Sequence, residues 1–102
     1  MVKLTEFTRY ADAQAHATSQ ALWELFDGDR EHLNIAHECI GRHADGSGRA
    51  AVRIAHADGA DEFLSFDAIA AGSARFAHWL DANGILPRDR IAFMLEPSLP
   101  FY

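Results

Sequence analysis

Between Phe66 and Leu80 apolar residues return at helical spacing: Phe66, Ile69, Ala70, Phe76, Ala77 and Leu80, with Ser73 a small polar interruption. Together they fill one continuous helical face. Ser65 stands where an N-cap hydroxyl can accept an orphan backbone N–H. Asp67 sits in the first turn, where a carboxylate meets the positive end of the helix dipole. At the other end Asn83-Gly84 offers a left-handed stop, Ile85 can fold back on the last turn, and Pro87 bars resumption. The pattern predicts a helix over Phe66–Ala82, a rod roughly 25 Å long at ~1.5 Å per residue.

Strand-like runs flank this helix at Glu62–Ser65 and Ile91–Leu95. The second, IAFML, is apolar throughout, as a strand covered on both faces would be. Strand, helix and buried strand in that order predict a βαβ crossover. Upstream, Ala51–Ala57 alternates, with Val52 and Ile54 on one side and Arg53 on the other. The turn Asp58-Gly59 joins it to Glu62–Ser65 as a hairpin. Nearer the start, Met1–Thr8 reads as a loose lead-in. The alanine-rich Tyr10–Phe26 favours helix by propensity, broken at Asp27-Gly28-Asp29. Leu33–His43 reads as a second helix, capped by Asn34, with Ile35, Ala36, Cys39 and Ile40 on its buried face. The division is thus a helical lead-in over residues 1–44 and a hairpin plus βαβ unit over 51–102. A βαβ unit of this size cannot close a core alone, so the class is α/β, an incomplete part of a larger domain.

With 102 residues there is room for one domain at most. A net charge of −6 argues against nucleic acid or an anionic membrane as partner. No apolar run approaches the ~18 residues of a membrane span, and no signal sequence opens the chain. The single cysteine, Cys39, excludes an internal disulfide and fits a reducing compartment, so the expected location is cytoplasmic.

Candidate chemistry is thin. His32, His37 and His43 with Cys39 suggest a metal cluster, but their spacing matches no zinc pattern, and buried cysteine with solvated histidines is the plainer reading. Cys39 on an apolar face has no activating base, so it reads as core rather than nucleophile. The Asp45-Gly46-Ser47-Gly48 loop has phosphate-loop composition, yet it precedes a strand and lacks a lysine, so it reads as a turn. Phe63, Phe66, Phe76 and Trp79 read as core rather than an aromatic pocket. Asp58, Asp61 and Glu62 read as a solvated acidic edge rather than paired catalytic carboxylates. No catalytic, cofactor-binding or metal-binding residue is assigned.

From Ser65 to Tyr102 the order of features resembles the N-terminal part of AMP-forming acyl-CoA synthetases, in the adenylate-forming superfamily. The matching positions are Ser65, Phe66 and Ile69 at the strand-to-helix junction, and Phe76, Ala77 and Leu80 along the helix. Gly84, Ile85, Asp89, Arg90 and Ile91 follow at the turn into the second strand, then Leu95, Pro97 and Pro100. Upstream, Leu25–Ala44 is similar to the lead-in of acetyl- and medium-chain acyl-CoA synthetases. Departures are Ala68 where the family usually carries Glu, Arg88 where it carries Gly, and Glu96 before its Pro. The resemblance implies an acid–thiol ligase as parent, using ATP, Mg2+ and CoA on a small carboxylic acid, as in fatty acid metabolism. It also implies that the family's phosphate loop and catalytic lysine lie beyond Tyr102, and that this segment alone is inactive. Two alternatives stay open: a stand-alone small acidic α/β interaction module, and a segment of another adenylate-forming ligase.

Overall fold

The computed structural model describes residues 2–102. The chain divides into two compact units, residues 1–38 and 39–102. Among the described residues no helix is long and apolar enough to cross a membrane.

In the first unit, α1 (Tyr10–Ala15) and α2 (Ser19–Trp23) follow a 3-10 turn at Leu4–Glu6. The single helix expected over Tyr10–Phe26 is therefore two. Thr18 divides it: its backbone is extended and its hydroxyl accepts the Ala21 N–H at 3.1 Å. A threonine that caps a new helix offers the backbone an alternative to continuing the old one, and here that outweighs the alanine propensity. Trp23 packs against Phe26 with ring centroids 5.5 Å apart. The Arg30 guanidinium lies 5.7 Å over the Trp23 ring and donates to the Ser19 hydroxyl at 2.8 Å.

The second predicted helix is also shorter. α3 spans Ile35–Cys39, and a 3-10 turn at Gly41–His43 replaces its continuation. Asn34 caps as expected, its side-chain oxygen accepting the His37 N–H at 3.1 Å. Its buried face is not the expected one. Ile35 is 69% exposed and Cys39 is exposed, whereas Glu38 is only 8% exposed. A helix of five residues buries what its neighbours can satisfy, and the neighbours here offer hydrogen-bond donors rather than apolar cover.

The second unit is built on an antiparallel hairpin, β1 (Ala50–Ala55) with β2 (Asp61–Ser65), followed directly by α4 (Phe66–Ala82). Val52 and Ile54 are half-buried and Arg53 is exposed, as the alternation requires. Arg53 lies opposite Phe63 and reaches Asp61 at 2.6 Å. The α4 boundaries agree with the sequence reading. Ser65 accepts the Ala68 N–H at 3.0 Å. At the C-terminus Gly84, at φ +72°, turns the chain. The Ile85 N–H then donates to Leu80 O at 3.0 Å and the Gly84 N–H to Asp81 O at 3.0 Å. These two bonds make a Schellman stop, which satisfies carbonyls the helix leaves unpaired.

The βαβ expectation is not met. Residues 91–95 form no strand, and among the described residues the sheet has two strands. A strand exists only through ladder partners, and β1 and β2 pair with each other. The IAFML segment consequently lies exposed, Met94 at 98% and Phe93 at 66%. Among the described residues no hydrophobic side chain is fully buried.

Between helix and tail, Leu86–Asp89 forms a tight turn, with the Asp89 N–H donating to Leu86 O at 3.0 Å. Pro87 occupies its second position and Arg88, at φ +74°, its third. That third position with positive φ belongs to glycine, the residue the synthetase pattern carries there. An L-residue in the left-handed region costs ~1–2 kcal/mol, partly offset because glycine loses more entropy on folding. Arg88→Gly is expected to stabilise the 39–102 unit by a few tenths to about 1 kcal/mol. A raised melting temperature by circular dichroism checks this, with Arg88→Ala giving no such gain.

Candidate functional site

Three features organise polar and apolar groups into something more than surface. The first is a corner in the 1–38 unit. The Glu38 carboxylate accepts the Asp27 N–H, at 2.9 Å through Oε1 and 3.2 Å through Oε2, and the Gly28 N–H at 2.8 Å. His37 Nε2 lies 2.8 Å from Asp27 Oδ2. One ligand-type atom from each of Asp27, His37 and Glu38 lies within 4.8 Å of the others. Sequence spacing does not link these three, and of the histidine–cysteine set that it weighs and sets aside, only His37 takes part. His32 lies 3.3 Å from Asp29, and the His43 ring packs 5.1 Å from Phe66. The Glu38 oxygens are engaged with backbone donors, so the corner pins the Asp27-Gly28 turn onto α3. Gly28 fits here by close approach: a Cβ on it would stand 2.5 Å from the His32 carbonyl oxygen. Gly28→Ala is therefore expected to displace residues 28–32, seen as lost protection of the backbone amides at positions 28 and 32 in hydrogen exchange.

The second feature is the Asp45–Gly48 loop. It is a turn, as expected, with Gly46 at φ +81° and Gly48 at φ +71°. Its backbone donors converge as they would on an anion. The anion is internal: Asp67 Oδ1 accepts the Gly46 N–H and Oδ2 the Gly48 N–H, both at 2.9 Å. The helix N-terminus thus clamps the loop, and the nitrogens a phosphate would need are taken. Beside the clamp, the Phe66 N–H donates to Arg49 O at 3.0 Å, and the Arg49 guanidinium lies 5.0 Å over the Phe66 ring.

Two aspartates in these turns have lowered pKa values. The Ser47 hydroxyl and then the Ser47 N–H hold Asp45 below the usual carboxylate value. The Glu31 and His32 N–H groups do the same for Asp29, each at 2.9 Å. A depressed folded-state pKa contributes stability that is present above the unfolded value and is lost as pH falls through the folded one. Both carboxyls are expected to titrate below the free aspartate value of about 3.9. An NMR titration of their side-chain carbons checks this, and the Ser47 and Glu31 amide shifts should move together with them.

The acidic edge is solvated, as expected. The Ala60 N–H donates to Asp58 at 2.8 Å, Asp61 pairs with Arg53, and Glu62 Oε2 lies 2.7 Å from His56 Nε2. These are surface pairs, worth little individually.

The third feature is apolar. A groove of about 700 Å³ runs between α4 and the tail, lined among others by Leu64, Ile69, Phe76, Phe93, Leu95 and Phe101. Phe76 stacks on Trp79 at 5.9 Å and tilts against Phe93 at 6.1 Å. Of the aromatic residues expected as core, only Phe76 lines this opening; Phe63 and Trp79 are exposed, at 60% and 58%. No nucleophile–base pair and no cationic cluster accompanies it; among the described residues the chain offers surfaces and clamps. Compared with family models, curated proteins and solved structures, the chain matches none.

Proposed function

We propose that this chain is the N-terminal portion of an AMP-forming acyl-CoA synthetase and that its role there is structural. One observation carries the structural role: Ile69 and Phe76 of the helical stripe and Phe93 and Leu95 of the IAFML segment line an open groove, and no apolar side chain among the described residues is fully buried. A surface of this kind needs cover, since contiguous exposed apolar area marks an interface. The synthetase identity rests on the residues from Ser65 to Tyr102 set out above. In the parent reaction a carboxylate oxygen attacks ATP to give acyl-adenylate and pyrophosphate, and the CoA thiol then displaces AMP. That chemistry needs cations aimed at phosphoryl oxygens. The residues present do not fit ATP, Mg2+ or CoA: the only lysine is Lys3, and the glycine loop is occupied by Asp67. No step is assigned to them.

Acid-dependent ATP–pyrophosphate exchange tests the reading. The native polypeptide carrying this sequence should catalyse exchange with a small carboxylic acid, and the isolated 102 residues should not. Absence of exchange with every alkanoic acid tried, but exchange with an aryl or amino acid, would move the chain to another adenylate-forming ligase. The alternative of a stand-alone acidic interaction module draws support from the local clamps on α4, which hold the hairpin–helix unit together without a core.

A further inference from the structure

The sequence contains four Asx-Gly steps: Asp27-Gly28, Asp45-Gly46, Asp58-Gly59 and Asn83-Gly84. In each, the glycine nitrogen is the atom that could attack the preceding side-chain carbonyl carbon and close a five-membered succinimide. The fold occupies all four. Gly28 N–H donates to Glu38, Gly46 N–H to Asp67, Gly59 N–H to His56 O and Gly84 N–H to Asp81 O. Asn83-Gly84 is the step where this matters most, because an amide loses ammonia more readily than a carboxylate loses water.

We propose that Asn83-Gly84 is a deamidation site held silent by the helix stop, so that its modification proceeds only through opening of the last turn of α4. Three local observations carry this. The Gly84 N–H is held by Asp81 O at 3.0 Å, which opposes the loss of its proton. The Asn83 side-chain N–H2 donates to Trp79 O at 2.7 Å, drawing the side chain back along the helix. Gly84 at φ +72° is locked in the left-handed stop by the Ile85 N–H to Leu80 O bond.

When the turn opens, the Gly84 nitrogen bonds to Asn83 Cγ, the Cγ–Nδ2 bond breaks, and ammonia leaves with the proton from Gly84. Water then opens the ring at either carbonyl, giving aspartate or isoaspartate. Either product prevents the stop from reforming as it was. Aspartate places a negative charge at the negative end of the helix dipole and removes the donor to Trp79. Isoaspartate adds a methylene to the main chain between residues 83 and 84, which breaks the register of both stop bonds. Modification therefore records past opening.

The test follows mass and isoaspartate content at this step for the whole chain, in mildly alkaline buffer and in concentrated urea, with circular dichroism on the same samples. Ile85→Ala is the second arm. It trims the half-buried side chain that follows the stop and leaves the Asn-Gly step unchanged. The native chain is expected to deamidate on the order of tenfold more slowly than the urea-unfolded chain, the size of a modest local opening equilibrium. Ile85→Ala should raise the native rate severalfold and leave the rate in urea unaltered. Equal rates in buffer and urea, or a native rate indifferent to Ile85→Ala, would overturn the proposal. Neither outcome bears on the synthetase reading, since the stop belongs to α4 and its own following residues.

Discussion

Replacing Glu38 by alanine is expected to unfold the corner of the 1–38 unit, at a cost of about 2–3 kcal/mol. Glu38 is the one buried polar or charged residue among the described residues, and two backbone N–H groups depend on its carboxylate. Truncation leaves those donors without their acceptor, which costs more than the net worth of the bonds. Glu38→Gln should be milder. Oε1 alone accepts from both Asp27 and Gly28, at 2.9 and 2.8 Å, and a glutamine oxygen can take that place. The order wild type, Gln, Ala in amide protection at Asp27 and Gly28 checks the geometry. Equal loss in the two variants would show that charge, not acceptor placement, holds the corner.

At Asp67 the amide and alanine substitutions are expected to be nearly equal in severity. Each of its oxygens takes a different donor, Gly46 through Oδ1 and Gly48 through Oδ2. Asparagine can satisfy one and must turn an N–H2 toward the other. Asp67→Asn should therefore cost nearly as much as Asp67→Ala, about 1–2 kcal/mol, including the lost charge at the helix N-terminus. Hydrogen exchange at Gly46 and Gly48 reads the clamp, and thermal unfolding reads the unit. The contrast with Glu38→Gln is the sharper test, because the two carboxylates differ in how their oxygens are shared.

The sequence makes α4 legible because every signal there is local. The cap at Ser65 and the Asn83-Gly84 stop each act within one or two turns, and both are found. The hairpin is legible for the same reason. What it does not disclose is long-range. Nothing in the linear pattern says that Asp67 reaches back to a loop 21 residues earlier, or that Glu38 rather than Ile35 turns inward. The Tyr10–Phe26 helix misleads because propensity is a sum and a single capping threonine is a switch. The Ile91–Leu95 strand misleads more instructively. Its composition describes a strand covered on both faces, and among the described residues the two strands present pair with each other. Under the proposed reading the remainder of a synthetase would cover that segment, so the failed expectation and the functional reading meet in the same residues.

The most direct test of that reading is the mass of the native polypeptide in its own cells, detected with an antibody raised to these residues. The account predicts a band several times larger than 11.3 kDa, with acid-dependent ATP–pyrophosphate exchange in the same purified fraction. A band at 11.3 kDa, running as a soluble monomer with its apolar groove open, would contradict it.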